Sequence, residues 1–206
     1  MEIRARAVHD GDVKPLHLFV VPGFADWEAA HAIAELRHHG GYSVEVVSLD
    51  GSPVESMGGV SVTPSRKLSD VSAKDVAAFI MPGGDTWERD DPPPELFEVL
   101  TALDAERVPI AAICAATIAA VRAGLTRGRR HTSNGLAYLR HHVPDYADAE
   151  GYVEAPAVRD RGLITASGLS DVEFAQELMT ELKVLSDADR ELWAKLFRGG
   201  RMPPDS

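Results

Sequence analysis

Cysteine is nearly absent from this chain, whose 206 residues include only one, Cys114. A single cysteine excludes an intramolecular disulfide and any metal or redox motif of the CxxC type. Long apolar runs are missing as well, since no stretch approaches the roughly 18 residues that a membrane helix needs. The opening residues, MEIRARAVHDGD, lack the apolar core of a signal peptide. We therefore expect a cytoplasmic protein with no membrane partner.

Positive charge is also scarce. The chain has 21 Lys and Arg residues against 32 Asp and Glu residues, which gives a net charge of -11. Binding to nucleic acid needs clustered cations, so we expect no nucleic-acid partner. The one basic run, RGRRH at 127–131, is typical of a cationic turn beside a strand. Because the sequence has no HExxH motif and no Cys/His cluster, we assign no metal and no cofactor.

Short apolar or alternating segments, most of them ending in turn residues, predict strands. These segments are 16–23, 42–51, 51–68 (a hairpin around Gly58 and Gly59), 76–84, 108–114, 129–134 and 152–167. Helical patterns cover 24–41, 92–106, 115–124, 135–142, 169–185 and 187–197. The helix from 169 has Ser170 or Asp171 as its expected cap, with Glu173 at capping-box spacing from Ser170.

This alternation of strands and helices predicts an α/β fold in one domain over residues 16–198. We expect a doubly wound, mostly parallel sheet with helices on both faces. Residues 1–15 and 199–206 are expected to be flexible extensions. In such a sheet, ligands bind outside the carboxyl ends of the strands, where the segments GFADWE (23–28), PGGDTWE (82–88) and Cys114 all fall.

Cys114 follows a buried strand and precedes a helix. Such a turn displays its corner side chain and needs small neighbours, which Ala112, Ala115 and Ala116 provide. The start of a helix also favours a thiolate. Free cysteine is, however, one of the residue types most often found in cores. The residues alone leave a reactive thiol and a core thiol equally open.

The other two strand ends carry further candidates. The N–H groups of Gly83 and Gly84 suit an oxyanion hole, although Pro-Gly-Gly as a lone motif more often only turns the chain. Glu28 facing Cys114 would raise the thiol pKa if ionised, or donate to a thiolate if protonated; a solvated helix glutamate is the alternative. Candidate pocket residues are Asp26, Trp27, Trp87, His131 and Asn134. The two tryptophans either close the pocket or support its floor, and His131 supplies a base, a polar wall or nothing.

GFADWE, MPGGDTWE and AICAAT in this order resemble the DJ-1/PfpI family of the class I glutamine amidotransferase-like superfamily. The resemblance extends from about Leu16 to Leu185 and implies a flavodoxin-like fold and a homodimer. It implies Cys114 as an elbow nucleophile, Glu28 as its hydrogen-bonded acidic partner, and an oxyanion hole from Gly83 or Gly84 with Ala115.

Two departures from the family pattern bear on the reaction. Ala115 stands where the protease-like members carry a histidine directly after the cysteine, so an adjacent Cys-His dyad is excluded. Asn134 stands where other members carry a histidine, and His131 lies three residues earlier. The late TASGLSDVE stretch supplies no His-x-Glu pair for a glutaminase triad.

These features predict a cysteine enzyme acting on a small electrophile. Carbonyl chemistry of the glyoxalase III or deglycase type fits best, and amide or ester hydrolysis uses the same groups. The alternatives are a redox-sensing or stress-response protein in which an oxidant converts Cys114 to a sulfinate, and a ligand-binding scaffold that has lost catalysis. The expected partners are a small-molecule substrate or oxidant and a second copy of the chain.

Overall fold

The computed structural model describes residues 13–200, so the predicted extension at 1–15 and the tail at 199–206 lie largely outside it. Within the described residues, the strands are β1 (Leu16–Phe19), β2 (Val44–Ser48), β3 (Val54–Glu55), β4 (Ser61–Val62), β5 (Arg66–Lys67), β6 (Ala78–Met81), β7 (Ile110–Ile113), β8 (Ala157–Asp160) and β9 (Leu163–Ala166). The helices are α1 (Ala30–Gly40), α2 (Thr86–Arg89), α3 (Pro94–Ala105), α4 (Ala116–Arg122), α5 (Leu136–His142), α6 (Asp171–Glu181) and α7 (Asp187–Gly199).

Seven strands form the main sheet, in the order β5-β2-β1-β6-β7-β9-β8. All neighbours are parallel except β8, which pairs antiparallel with β9 at the edge. The strands β3 and β4 form a separate antiparallel hairpin, as the glycines between them predict. The order places the carboxyl ends of β1, β6, β7 and β9 side by side, which is where the predicted functional segments lie.

Side chains that alternate along the central strands enter two separate cores, because successive residues of a strand point to opposite faces of the sheet. The first core lies under α2, α3, α4 and α5, and includes Phe19, Phe79, Leu96, Leu100 and Ile118. The second core lies under α1, α6 and α7, and includes Leu18, Ile80, Leu36, Phe174 and Ile164. Helices thus cover both faces of the sheet, as the sequence predicts for a doubly wound fold.

Two local predictions are wrong. Residues 129–134 do not form a strand: His131 makes only an isolated bridge to Tyr152. The neighbouring Thr132 donates its N–H to the hydroxyl of Thr165, so a side chain takes the place of a ladder partner. The capping box at α6 is also absent, because the Ser170 hydroxyl bonds to Ser167 and does not cap the helix.

No helix within residues 13–200 combines the length and the apolar character needed to cross a membrane.

Candidate active site

Cys114 occupies the abrupt turn between β7 and α4. Its N–H still donates to the Ala166 carbonyl of β9 at 2.9 Å, but its φ of 58° is left-handed and ends the strand. A non-glycine residue in this region is strained by about 1–3 kcal/mol and persists only where its surroundings hold it. Thr117 helps to do so, because its hydroxyl donates to the Cys114 carbonyl at 2.5 Å and also bonds to Ser133. The turn leaves the thiol half-buried at the carboxyl edge of the sheet.

Glu28 brings a buried carboxyl group to this thiol. The residue lies in the turn before α1, two residues earlier than the helix begins, and is 1% exposed. Its side chain hydrogen-bonds to Cys114, and its Oε2 accepts from the Gly83 N–H at 2.5 Å. The carboxyl group is therefore held between the ends of β6 and β7, next to the sulfur.

Asp26 secures the loop that carries Glu28. Its carboxylate accepts from the Ser56 hydroxyl and from the Gly58 N–H, the latter at 2.8 Å. Those hydrogen bonds, with that from Ser56 the stronger, hold the pKa of Asp26 below its usual range. Asp26 thus ties the loop after β1 to the β3–β4 hairpin and supports the site without contacting Cys114.

Asn134 faces the sulfur from the segment before α5. Its Nδ2 donates to Cys114 Sγ at 3.2 Å, and its Oδ1 accepts from the Gly168 N–H at 2.9 Å. Gly168 follows β9, and its backbone lies so near the sulfur that an added Cβ would stand 2.6 Å from Cys114 Sγ and 3.1 Å from Glu28 Oε1. The site therefore draws on four strand ends: those of β1, β6, β7 and β9.

The two acidic groups of the site share one environment. Burial raises the pKa of Glu28 to about 7, against opposing hydrogen bonds from Cys114 and Gly83. Burial and the charge of Glu28 raise the pKa of the Cys114 thiol to about 12, against the hydrogen bond from Asn134. The expectation that the helix terminus favours a thiolate is not met, because these effects outweigh it. At neutral pH the sulfur holds its proton unless a base removes it.

Three backbone N–H groups were candidates for an oxyanion hole. The Gly83 N–H is occupied by Glu28, which leaves Gly84 and Ala115. Gly84 has a φ of 148°, and a Cβ there would stand 2.5 Å from the Gly23 carbonyl oxygen, so the position requires glycine. Within residues 13–200 its N–H has no hydrogen-bond acceptor. The Ala115 N–H points at the sulfur of Cys114.

Comparison with known proteins identifies the family of this chain. The model of the DJ-1/PfpI family matches residues 14–181. The chain belongs to the DJ-1/PfpI family. It is 35% identical over 191 residues to a Bacillus subtilis (strain 168) protein named "Uncharacterized protease YoaZ", in a match that covers 89% of this chain and 90% of that protein.

Two solved structures share the fold closely. The DJ-1 superfamily protein Atu0886 from Agrobacterium tumefaciens has a TM-score of 0.84 and 31% identity, over 91% of this chain and 99% of that one. A thiJ/pfpI family protein from Bacillus anthracis has a TM-score of 0.83 and 30% identity, over 91% and 92% of the two chains. The predicted family and the predicted flavodoxin-like fold are therefore confirmed.

In this DJ-1/PfpI protein, Trp87 and His131 have hydrogen-bond partners other than the thiol. Trp87 is a residue of the first core, and its Nε1 donates to the Pro82 carbonyl at 2.9 Å. It therefore supports the segment that follows β6. Trp27 is half-exposed. His131 is fully buried, and its ring nitrogens bond to the Arg129 carbonyl and the Tyr146 hydroxyl. With both nitrogens occupied there, His131 is not placed to act as a base on Cys114.

Sequence reasoning missed Gly168 and Tyr138. Gly168 had a usable signal, since it follows a predicted β-rich segment and the ends of parallel strands meet at one edge. Tyr138 lies in α5 near Asn134, and its hydroxyl donates to Glu88 Oε1 at 2.7 Å. Nothing in the sequence marks Tyr138, because a tyrosine on a short helix is as common in a core as in a site.

Proposed function

We propose that this protein is a cysteine enzyme that acts on small carbonyl electrophiles, in chemistry of the glyoxalase III or deglycase type. One observation carries the proposal: an elbow thiol hydrogen-bonded to a buried carboxyl group whose pKa is raised to about 7. A general base works best when its pKa lies near the working pH, and Glu28 meets that condition.

The proposed first step is addition of the thiol to the carbonyl carbon. The Cys114 sulfur forms the new bond, the thiol proton passes to the Glu28 carboxylate, and the π electrons of the carbonyl move to its oxygen. The raised pKa of Cys114 makes this coupled transfer necessary, because a free thiolate is scarce at neutral pH. The protonated Glu28 then returns the proton to the oxygen, which gives a neutral hemithioacetal.

The negative charge on that oxygen needs fixed donors. We assign this role to the N–H groups of Gly84 and Ala115, with the Asn134 amide donating to sulfur beside them. Donors aimed at a developing charge in a partly buried site commonly contribute several kcal/mol to catalysis.

Turnover of methylglyoxal to its 2-hydroxy acid tests the proposal. We expect Cys114→Ala to abolish turnover and Glu28→Gln to lower kcat roughly 100-fold or more, the usual contribution of a general base. Glu35→Gln is the matched control, since Glu35 is a half-buried carboxylate on α1 that pairs with His39 and lies outside the site. Equal activity in Glu28→Gln and the wild type would refute the assigned role of Glu28.

The pH profile gives an independent check. Since Glu28 must be ionised to accept the thiol proton, kcat/KM should rise through a pKa of about 7 and level off above it. That limb should disappear from the residual activity of Glu28→Gln. A wild-type rate that falls as the pH rises through 7 would contradict a base at this position.

Amide or ester hydrolysis is the second candidate. The word "protease" in the name of the Bacillus subtilis relative favours it. The same addition would give a tetrahedral intermediate, and the protonated Glu28 would then protonate the departing amine or alcohol. A panel of peptides and p-nitrophenyl esters, run beside methylglyoxal, separates the two by their kcat/KM values.

A redox sensor remains the alternative without turnover. Oxidation begins at a thiolate, and the raised pKa of Cys114 opposes it. If the wild type turns over none of these substrates and peroxide adds two oxygen atoms to Cys114, the sensor is correct. If neither occurs, the protein is a binding scaffold.

We also propose a cytoplasmic homodimer, on the strength of the composition and of the sequence resemblance. Light scattering should report twice the 22.2 kDa mass of one chain. A particle of 22.2 kDa at micromolar concentration would contradict the dimer.

A further inference from the structure

Asn134, whose side chain contacts the sulfur, is the only asparagine in the 206 residues of the chain. Gln176 is the only glutamine, so the protein has two side-chain amides in all. The residue that follows Asn134 is Gly135. Asn-Gly is the dipeptide in which asparagine loses its amide most readily, because glycine has no side chain to hinder ring closure. The most labile amide of the chain therefore lies against its single thiol.

The structure leaves this dipeptide open to that reaction. Asn134 is exposed, so water reaches it. Gly135 has a φ of 137°, which favours glycine, and a Cβ built there would meet nothing within 4 Å. Within residues 13–200 no group accepts a hydrogen bond from the Gly135 N–H, so its nitrogen is free to lose the proton and attack.

The hydrogen bonds of the Asn134 amide favour the attack at its carbonyl carbon. The Gly168 N–H donates to Oδ1 at 2.9 Å, and negative charge develops on this oxygen when a nitrogen adds to Cγ. The leaving nitrogen, Nδ2, donates to Cys114 Sγ at 3.2 Å. Because sulfur is a weak acceptor, that contact does little to retain the nitrogen.

Deamidation at this dipeptide needs only water as a co-reactant. The Gly135 nitrogen bonds to Asn134 Cγ, the Cγ–Nδ2 bond breaks, and ammonia departs with the Gly135 proton. A cyclic succinimide remains. Water then adds to one of its two carbonyl groups, the ring opens, and the Gly135 nitrogen regains a proton. The product at position 134 is an aspartate or an isoaspartate, and no group is oxidised or reduced.

The product reverses the effect of this side chain on the sulfur. The Asn134 amide donates an N–H to Cys114, which favours the charged form of the thiol. A carboxylate has no hydrogen to donate, and it adds a negative charge to the site that already holds the Glu28 carboxyl group. The thiolate is then disfavoured, so that reactions that begin from it become slower.

We propose that Asn134 is a self-modification site, where deamidation places a carboxylate against Cys114 and lowers the reactivity of the thiol as the protein ages. The inference concerns the thiol itself and does not depend on which substrate the protein uses.

Ageing of the purified wild type at pH 8 tests this, with two measurements on each sample. Peptide mapping should show a gain of about 1 Da at Asn134 while Gln176, the internal control, keeps its amide. Alkylation by iodoacetamide, which reports on Cys114 alone, should become biphasic. The slow fraction should equal the deamidated fraction and react at least about tenfold more slowly, the effect of losing one hydrogen bond to a charged group.

Two variants separate deamidation from other effects of ageing. Asn134→Asp should show the slow alkylation rate from the start, with its curve of rate against pH moved to higher pH. Asn134→Gln is the matched control, because ring closure from the longer side chain is much slower. Its alkylation rate should stay at its own starting value through the same treatment, which excludes oxidation of the thiol as the cause of any decline.

Wild type unfolded in urea gives the rate of deamidation without the fold. An intact Asn134 in the folded protein, after a period in which the unfolded chain deamidates fully, would overturn the proposal. An Asn134→Asp protein, or a deamidated fraction, that alkylates at the wild-type rate would overturn it as well.

Discussion

Glu28 shows how burial changes the acidity of one carboxyl group. The same carboxyl group on an exposed helix would be ionised at neutral pH and inert toward a neighbouring thiol. At 1% exposure it titrates at about 7, so that it exchanges a proton in the physiological range. The Gly83 N–H bond to its carboxylate limits the rise in pKa. Burial and one hydrogen bond together adjust the base to its proposed task.

The raised pKa of Glu28 also predicts how stability depends on pH. A group whose pKa is higher in the folded state stabilises the fold fully below its unfolded pKa, near 4.5, and that stability is lost as the pH rises through about 7. We expect the wild type to lose about 3 kcal/mol relative to Glu28→Gln over this range. Urea unfolding of both proteins at pH 5 and pH 8 measures it.

Burial lowers the pKa of His17, which therefore also contributes to the pH dependence of stability. Its contribution is the same in both proteins, so it cancels in the difference between their free energies of unfolding. A difference between wild type and Glu28→Gln that does not change with pH would show that Glu28 is ionised at pH 5.

Gly168 has a purely steric role beside the thiol. Its φ is not in the left-handed region, so alanine meets no backbone strain there, but the added Cβ would lie 2.6 Å from Cys114 Sγ. We expect Gly168→Ala to displace the thiol and to lower turnover at least tenfold, with about 1–3 kcal/mol of overpacking. Gly199→Ala, where nothing lies within 4 Å, is the control. Unchanged kinetics in Gly168→Ala would mean that the sulfur has room to move.

At the scale of elements, the β7–α4 turn illustrates a strained connection that is held by its neighbours. The strand ends because Cys114 adopts a left-handed φ, and α4 can then begin at Ala116. The bond from Cys114 to Ala166 and the contacts of Thr117 hold the residue there. Without this turn the thiol would continue the strand and enter the first core with Ala112.

Strain at this turn should be measurable with two substitutions that both remove the thiol. Glycine adopts a left-handed φ without penalty, whereas alanine does not. We expect Cys114→Gly to be more stable than Cys114→Ala by about 1 kcal/mol in urea unfolding. At the next position, where Ala115 has a helical φ of -65°, Ala115→Gly should destabilise the protein. A Cys114→Ala protein as stable as Cys114→Gly would argue against strain.

Elements that depend on tertiary partners were the ones predicted wrongly. Residues 129–134 look like a strand, but Thr132 finds its partners in Thr165 and the Ala155 carbonyl. Ser170 and Glu173 have capping-box spacing, yet Glu173 pairs with Arg198 of α7. In both places a contact distant in sequence replaced the local one, and no local pattern records such contacts.

At the scale of the whole molecule, the sheet divides the interior into two cores that share no buried residue, although the half-buried Cys114 packs against both. Ile118 lies in the first core and Ile164 in the second, both fully buried. We expect Ile118→Val and Ile164→Val each to cost about 0.5–1.5 kcal/mol of unfolding free energy. The double mutant should lose the sum of the two to within about 0.5 kcal/mol, because the sheet separates them. A larger coupling would indicate that strain crosses the sheet.

The sequence by itself determined the α/β architecture, the family and the identity of the nucleophile candidate. Periodic apolar patterns are local, and the turn residues that follow each strand are visible in a single chain. The segments that follow β1, β6 and β7, which contain Glu28, Gly83 and Cys114, therefore lie where the sequence predicts them.

Only the tertiary structure decided what these residues do to one another. In the folded protein the Gly83 N–H donates to Glu28, and Asn134 and Gly168 lie against the sulfur. The ring of His131 bonds to the Tyr146 hydroxyl instead. It also reversed the expected shift in the pKa of Cys114, because desolvation and the charge of a neighbour depend on packing in three dimensions. Composition and spacing carry no record of burial at a given atom, and burial is the quantity that determines the chemistry of this thiol.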